Sequence, residues 1–229
     1  LPQELAAVDA SLRALEAERE LAALELERIR ELRRREAVSA QALDEARTVL
    51  KRHLGVCLDT CHQAVLFEDV GDVLDQFEKN RVPVAKMQIS AAIACTPTPE
   101  ALAQLSAFDD PVYLHQSALR LPDGTVERFS DLELALAAAR KIDAPEAYEL
   151  RTHYHIPLSV ERTGALRSTR FTLTDDLFAR LKQGRIPNIE AETYTFSVLP
   201  AELRKGDVVD SIAGELQWVL SALRTKPET

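Results

Sequence analysis

Residues 53–65, HLGVCLDTCHQAV, place a carboxylate, two thiols and an imidazole at the end of an apolar run. A buried strand avoids such groups unless something pairs with them, because an unpaired polar group in the interior costs free energy. Three explanations are open at this point: a disulfide, a metal site or a catalytic pair. Asp59 and His62 stand three residues apart where the strand gives way to a loop, so both side chains can point into one site.

Histidines and carboxylates recur at the ends of the other predicted strands. The candidates for one shared site are Asp59, His62, His115, His153, His155 and Glu192. His153 and His155 are i and i+2 on a predicted strand, so their side chains share a face and Tyr154 points away into packing. One of Glu190 and Glu192 is expected to face the same site. A single histidine beside a strand is more often structural than a ligand, but imidazoles and carboxylates that converge are the usual ligands of a divalent transition metal.

The cysteines in this stretch are weaker candidates than the carboxylate and the imidazole. Cys57 lies two residues before Asp59 in the strand and is expected to be a small core residue. For Cys61 a core position is favoured over a place in the site. A disulfide between them is disfavoured, because Cys57 lies within the strand and Cys61 lies beyond its end.

Apolar runs alternate with capped helices from residue 54 onward, which is the pattern of βα units and a parallel sheet. Strands are predicted over residues 54–59, 82–90, 111–115, 147–156 and 188–193. Helices are predicted over residues 68–80, 98–108, 130–142 and 174–184, with Thr98, Ser130 and Thr174 as N-terminal caps. A last helix over 206–224 is expected to close the fold with an apolar face of Val208, Ile212, Leu216, Val219 and Leu220.

The N-terminal part differs from the rest in composition. Residues 3–37 predict one long helix with alternating charges, and Ser39 is expected to cap a second helix to about residue 52. A connecting or surface helix is favoured over a partner-binding coiled coil, because the heptad pattern weakens after Leu15. We therefore predict a helical segment over 1–52, a main domain over 53–224 and a disordered tail over 225–229.

The composition of the chain limits the classes of function that it can have. A chain of 229 residues that is 46% hydrophobic can bury a core, and a net charge of −9 argues against broad contact with nucleic-acid phosphates. Three cysteines and the lack of a signal-peptide pattern predict a cytoplasmic location, and no 18-residue apolar window predicts a membrane span. No glycine-rich phosphate loop and no Gly-x-Ser-x-Gly elbow occurs in the sequence.

Several motifs together resemble a known family: GVCLDTCH, KMQIS, LRTHYHIPL, GALRSTR and AETYTFSVLP. They are similar to those of EboE-like metabolite-traffic proteins, within the xylose-isomerase-like and endonuclease IV superfamily, over residues about 50 to 222. The resemblance implies a (β/α)8 TIM barrel of xylose-isomerase-like type, with only its C-terminal half, strands five to eight, present after the long helix. Half a barrel leaves open sheet edges. We therefore expect a fragment, a truncated gene model, or a chain that needs an N-terminal half-barrel or a dimer partner.

The resemblance also implies roles for individual residues. Metal ligands are expected at Asp59, His62, Gln88, His115, His153 and Glu192. The ion is expected to be Zn, Mn or Fe, and Gln88 stands where the superfamily has a histidine, which argues against an endonuclease-like trinuclear zinc site. Glu192 and His155 are the expected catalytic residues. Separately from the resemblance, Arg151 with Arg167 or Arg170 is expected to bind a single anionic group of the substrate, although a supporting salt bridge is the favoured role of such arginines.

The function that the resemblance implies is metal-dependent chemistry of the sugar isomerase or epimerase type. The expected substrate is a small polyol or sugar-like metabolite that is processed or exported, with products of an ebo-type operon as possible partner proteins. No Arg/Lys cluster is expected that would favour a substrate with several phosphates. A non-catalytic metabolite-binding or scaffold protein is the alternative, and an endonuclease-like phosphodiesterase is disfavoured by the net charge and by Gln88.

Overall fold

The computed structural model describes residues 20–21, 23–32, 34, 41–42, 45, 48, 54–109, 113–192, 196, 198–200, 203–204 and 206–224. The chain divides into two compact units, Leu1–Val56 and Cys57–Thr229. In the first unit the described residues up to 48 are helical, within both predicted helices. The predicted ends of those helices and the predicted tail lie outside the described residues. None of the described helices combines the length and the apolar character needed to cross a membrane.

From residue 56 onward short strands alternate with helices. The strands are β1 (Val56–Asp59), β2 (Val84–Ile89), β3 (Ile93–Cys95), β4 (Ser117–Arg120), β5 (Val126–Phe129), β6 (Glu149–Thr152), β7 (Arg162–Thr163), β8 (Leu166–Ser168) and β9 (Asn188–Ala191). The helices are α1 (Thr60–Val65), α2 (Val70–Lys79), α3 (Pro99–Leu105), α4 (Leu132–Ala139), α5 (Asp175–Lys182) and α6 (Val208–Arg224). Single 3-10 turns cover Ser106–Phe108, Pro145–Ala147 and Thr169–Thr172.

The first sheet has three strands in the order β1-β2-β9. β9 runs parallel to β2, with Gln88 opposite Glu190 and Ile89 opposite Ala191. Met87 and Ile89 are fully buried, so this face of β2 belongs to the core. Parallel strands end at the same edge of a sheet, so the residues that follow β2 and β9 meet there.

The second sheet is antiparallel and is inserted between β2 and α5. Its six strands follow the order β5-β4-β6-β3-β8-β7. The predicted parallel strand at 147–156 is therefore wrong: β6 covers only Glu149–Thr152 and pairs antiparallel with β3 and β4. The described part of the predicted strand at 111–115 is not a strand either. An apolar run shows that a strand is buried on both faces, but it does not show which sheet the strand joins.

The fold is thus mixed α/β, and the described residues form no closed barrel. The family resemblance implied four consecutive barrel strands, whereas three strands form the first sheet and the chain makes a long antiparallel excursion before β9. This excursion matters for function because it carries His153 and His155 to the carboxyl edge of the first sheet.

The predicted helices are present, with one change of cap. The Thr98 hydroxyl accepts from the Ala101 N–H and Thr174 caps α5, as predicted. Helix α4 begins after Asp131, whose carboxylate accepts from the backbone N–H of Leu132 at 2.8 Å, and Ser130 is not the cap. A carboxylate is as good a cap as a hydroxyl, so adjacent Ser and Asp residues leave the start of a helix uncertain by one position.

Helix α6 packs against α5 and β9, but not with the face predicted for it. Of the five apolar residues expected to be buried, only Val219 is; the exposed fractions of the others are 43% for Val208, 38% for Ile212, 44% for Leu216 and 48% for Leu220. The buried side includes Glu215 instead, whose carboxylate accepts from the backbone N–H of Leu158 at 3.4 Å. Helical spacing identifies the residues that form an apolar face, but it does not show which face of the helix packs against the core.

Candidate metal centre

Asp59 ends β1 and caps α1, and these two positions fix its carboxylate. Its Oδ1 accepts from the Cys61 N–H at 2.8 Å and from the Ser90 hydroxyl. The other oxygen, Oδ2, lies 3.6 Å from His62 Nε2 and 3.8 Å from His155 Nε2. One oxygen is therefore held by the protein, while the other faces two imidazoles.

The Asp59 carboxylate is supported by the junction between β1 and β2. The Thr60 hydroxyl donates to the Ser90 carbonyl at 2.8 Å and accepts from the Ser90 N–H at 2.9 Å. The Ser90 hydroxyl also accepts from the Cys61 N–H at 3.0 Å. Thr60 and Ser90 are both buried, so this network of hydrogen bonds is shielded from water and fixes the end of β1 against the end of β2.

His62 and His153 form a stacked pair in front of Asp59. His62 lies on α1, one turn after Asp59, with 46% of its side chain exposed. The ring of His153 stacks on it at a centroid distance of 4.2 Å. The backbone of His153 is held by the antiparallel sheet, because its N–H donates to the Gln116 carbonyl at 2.7 Å and its carbonyl accepts from His115 Nδ1 at 2.9 Å.

His155 is oriented by the segment that follows β9. Its Nδ1 lies 3.3 Å from the Glu192 carbonyl oxygen, which can only accept, so Nδ1 carries the proton. In the neutral ring Nε2 then carries the lone pair, and this nitrogen faces Asp59 Oδ2. An acceptor nitrogen thus faces an acceptor oxygen, which is the arrangement of two ligands around a cation. Tyr154 packs away from the site against Phe108, as predicted.

Glu192 brings a second carboxylate from the end of β9. Its Oε2 is buried and has no hydrogen-bond partner among the described residues. Glu190 instead accepts from Lys86 at 2.8 Å and from Gln88 at 2.7 Å. Of the two glutamates, Glu192 is therefore the one whose carboxylate is available at the site.

Three overlapping groups of side chains have the composition and spacing of metal ligands. Within each group the ligand atoms lie within 4.8 Å of one another. The groups are Asp59, His62 and His153; Asp59, His155 and Glu192; and Cys61, His153 and His155. Imidazole nitrogens combined with carboxylate oxygens suit Zn, Mn or Fe. We call Asp59, His62, His153, His155 and Glu192 the metal cluster.

The pKa values in the metal cluster follow from burial and from mutual repulsion. Burial, followed by the neighbouring histidines, lowers the pKa of His153 to about 4, and burial also lowers the pKa of His155. Burial, followed by the charge of Asp59, raises the pKa of Glu192 to about 7. Both histidines are neutral at pH 7, which is the form that binds metals, while the two carboxylates repel each other unless a proton or a cation lies between them.

Two predicted ligands lie beside the metal cluster rather than in it. The Gln88 carbonyl oxygen accepts from the Cys57 thiol at 3.2 Å, and its amide donates to Glu190. His115 is fully buried, with its ring 5.2 Å from that of Tyr154. His115 belongs to none of the three ligand groups found among the described residues.

The predicted substrate arginines lie on the antiparallel sheet. Arg151 on β6 donates to Glu149 at 2.9 Å and to the Ala64 carbonyl at 2.7 Å. Arg167 on β8 donates to the same Glu149 carboxylate at 2.8 Å. Both arginines are thus held by Glu149 on this sheet.

Two residues contribute more than the sequence indicated. Ser90, which fixes Asp59, has no motif of its own in the sequence, although it stands at the end of the run KMQIS where a strand-end residue meets its neighbours. Cys61 is fully buried as expected of a core residue, yet its sulfur lies in the group with His153 and His155. Burial, followed by the charge of Asp59, raises the pKa of the Cys61 thiol well above its ordinary value.

A cavity of about 360 Å³ opens beside His62, lined also by Val65, Ser117, Arg128 and Phe129. It gives the exposed edge of the metal cluster a space in which a small molecule fits.

Comparison of the chain with family models, with curated proteins and with solved structures gave no match in any of the three. The resemblance to EboE-like proteins stays a prediction from the sequence motifs.

Proposed function

We propose that the chain binds a divalent transition metal at the metal cluster and acts on a small metabolite there. The observation that carries this proposal is the position of Asp59 Oδ2, which faces the acceptor Nε2 of His155 at 3.8 Å. Asp59 also belongs to two of the three ligand groups, so one carboxylate can serve two adjacent ions. The buried Glu192 oxygen fits the same interpretation, because a cation would neutralise it.

The chemistry that suits this cluster is isomerase- or epimerase-like proton transfer on a polyol or sugar-like metabolite. A bound divalent ion supplies Lewis acidity, which polarises a carbonyl or hydroxyl oxygen. Where Asp59, His62 and His153 hold the ion, the Glu192 carboxylate stays available beside them as a general base. His155 is held by the carbonyl of Glu192 after β9 and turns its Nε2 toward Asp59, and His62 lines the cavity.

The proposal also covers the TIM barrel that the family resemblance implies. The order β1-β2-β9 leaves β1 and β9 at the edges of the sheet, where further parallel strands can add, and the donor residues lie at its carboxyl edge. We propose that another segment or chain completes a TIM barrel of the xylose-isomerase-like type there. Analytical ultracentrifugation is expected to show self-association of this chain, and a monomer that melts cooperatively would contradict the barrel.

Metal analysis tests the proposed centre directly. Chelator-treated protein is titrated with Zn²⁺, Mn²⁺ and Fe²⁺, and the bound metal is measured after desalting. We expect about one or two equivalents. Asp59→Asn should lose this metal, because Asn keeps the helix cap but has no charge. Asp143→Asn, an exposed residue with the same change of charge, is the matched control. Equal metal content in the two variants would overturn the proposal.

A second measurement separates an enzyme from a binding protein. Metal-loaded protein is incubated with a panel of polyols and ketoses, and product formation is compared with that of Glu192→Gln and of its exposed control Glu146→Gln. Turnover that disappears only in Glu192→Gln supports the enzyme. Metal-dependent binding of a polyol without turnover supports the non-catalytic alternative.

A further inference from the structure

A group of arginines surrounds Glu149 on one face of the antiparallel sheet. Arg120, Arg151 and Arg167 come from β4, β6 and β8, and each forms an ion pair with the Glu149 carboxylate. No other carboxylate among the described residues pairs with them. Three positive charges against one negative charge leave an excess of two, within a chain whose net charge is −9.

The register of the strands extends this positive surface. Ala94 on β3 lies opposite Arg151 on one side and opposite Arg167 on the other. Arg167 in turn lies opposite Arg162 on β7. On the other side, Arg151 pairs across Ala118 with Arg128 on β5. Directly opposed residues of antiparallel strands share a face, and opposed like charges are destabilising unless an anion or a carboxylate lies among them.

Two phenylalanines hold the guanidinium groups in place. Arg151 lies over Phe67 at 4.0 Å and Arg120 over the same ring at 4.7 Å. Arg167 lies over Phe171 at 4.6 Å. Planar groups that are stacked and ion-paired have already lost their side-chain freedom, so they bind an anion at a lower entropic cost.

The two outer arginines are open to solvent. The exposed fractions of the side chains are 44% for Arg120 and 38% for Arg167, against 7% for Arg151 and 10% for Glu149. Each guanidinium has five N–H donors, and Glu149 accepts from one nitrogen of Arg120 and one of Arg167. Glu149 therefore fixes the arginines from beneath, while donors remain at the surface.

We propose that Arg120, Arg151 and Arg167 form a binding site for a phosphoryl group, which we call the arginine site. Guanidinium forks match phosphate oxygens in two-point contacts, and the excess of positive charge matches a dianion. The site is distinct from the metal cluster and does not depend on it.

Calorimetric titration of the full chain with inorganic phosphate at constant ionic strength tests the arginine site. Arg167→Gln should weaken phosphate binding by about tenfold or more, because charged hydrogen bonds are lost. The phosphate affinity of Arg167→Lys should lie between those of the unmodified chain and Arg167→Gln, because lysine keeps the charge but not the forked geometry of the guanidinium. The control is Arg185→Gln, an exposed arginine that pairs with the single carboxylate of Glu78. Equal affinities of Arg167→Gln and Arg185→Gln, or no binding to the unmodified chain, would overturn the proposal.

Further titrations identify the source of the phosphoryl group and test whether phosphate binding is independent of the metal cluster. Glycerol 3-phosphate is titrated beside inorganic phosphate; tighter binding of the ester supports a phosphorylated metabolite, and equal binding supports free phosphate. Asp59→Asn should bind phosphate as the unmodified chain does, even if it binds no metal. Circular dichroism of each variant checks that the fold is retained. Loss of phosphate binding in a folded Asp59→Asn variant would contradict a separate arginine site.

Discussion

The carboxylates of Asp59 and Glu192 converge to within 4.8 Å although they leave strands that are separated by β2. Neighbouring strands are about 4.8 Å apart, so β1 and β9 are about twice that distance from each other. The two side chains must therefore lean toward each other across the end of β2. Two carboxylates that lean together in a buried place repel each other, and this repulsion is what a metal ion or a shared proton removes.

Metal affinity should rise with pH through neutrality. The proton on Glu192, whose pKa is raised to about 7, must leave before the carboxylate can bind a metal. The lowered pKa values of His153 and His155 keep those rings neutral over the same range. We expect the affinity for Zn²⁺ to be about tenfold lower at pH 6 than at pH 8. Calorimetry should show a flatter pH profile for Glu192→Gln, and an unchanged profile would contradict the role of Glu192.

Ser90→Ala should weaken metal binding without removing a ligand. The Ser90 hydroxyl donates to Asp59 Oδ1, which leaves Oδ2 turned toward the histidines. Partners of ligating carboxylates typically account for about 10- to 100-fold in metal affinity. Ser221→Ala, on the surface of α6, is the control. A variant that unfolds more easily but binds metal normally would show that Ser90 only supports the fold.

Cys61 is expected to contribute less to metal binding than the residues of the metal cluster. In the absence of a metal, burial and the charges of Asp59 and Glu192 raise the pKa of its thiol, so a metal must displace this proton before the sulfur can bind. The Co²⁺-substituted protein should show no thiolate-to-metal charge-transfer absorption. Cys61→Ala should also change Zn²⁺ affinity less than His153→Ala does. An intense charge-transfer band that disappears in Cys61→Ala would assign the metal to the group with the thiol.

Glu149→Gln should destabilise the chain and make it responsive to phosphate. Removing the carboxylate leaves the buried Arg151 without its ion pair, which costs about 3 kcal/mol in comparable buried pairs. Urea unfolding at pH 7 measures this loss, and added phosphate should restore part of it by replacing the missing negative charge. An equal effect of phosphate on Glu149→Gln and on the exposed control Glu146→Gln would contradict this expectation.

The pH dependence of stability gives a further check on Glu149. Burial alone would raise its pKa, but the hydrogen bond from Arg151 and the charges of the arginines lower it below its ordinary value of 4.5. A carboxyl with a lowered pKa in the folded state contributes stability above its unfolded pKa and loses it as the pH falls through the folded one. The difference in stability between the chain and Glu149→Gln should therefore be constant near neutrality and shrink below about pH 4.5.

The parts of the site that depend on local geometry could be predicted from the sequence. Asp59 and His62 are three residues apart at a strand end, and a helix cap followed by one turn brings them together wherever the strand lies. His153 and His155 were paired on the assumption of a continuous strand. The structure ends β6 at Thr152, yet both rings reach the cluster because loop residues after the strand are held by the antiparallel sheet.

What could not be predicted depends on the register between distant strands. Arg120 and Glu149 are directly opposed on β4 and β6, and no sequence pattern indicates that pairing. The group of arginines around Glu149 could not be predicted from the sequence for this reason. The same limit applies to the sheet itself, since the run at 147–156 has the composition of a buried strand in either a parallel or an antiparallel sheet.

The antiparallel excursion also bears on how the chain folds. Asp59 and Glu192 are separated by more than half of the 229 residues, and His153 and His155 follow β6 of the intervening sheet. Contacts of such high sequence separation require the closure of a long loop and form slowly. The group of Asp59, His155 and Glu192 therefore forms only after β9 has docked on β2, so an ion bound there should slow unfolding more than it speeds folding.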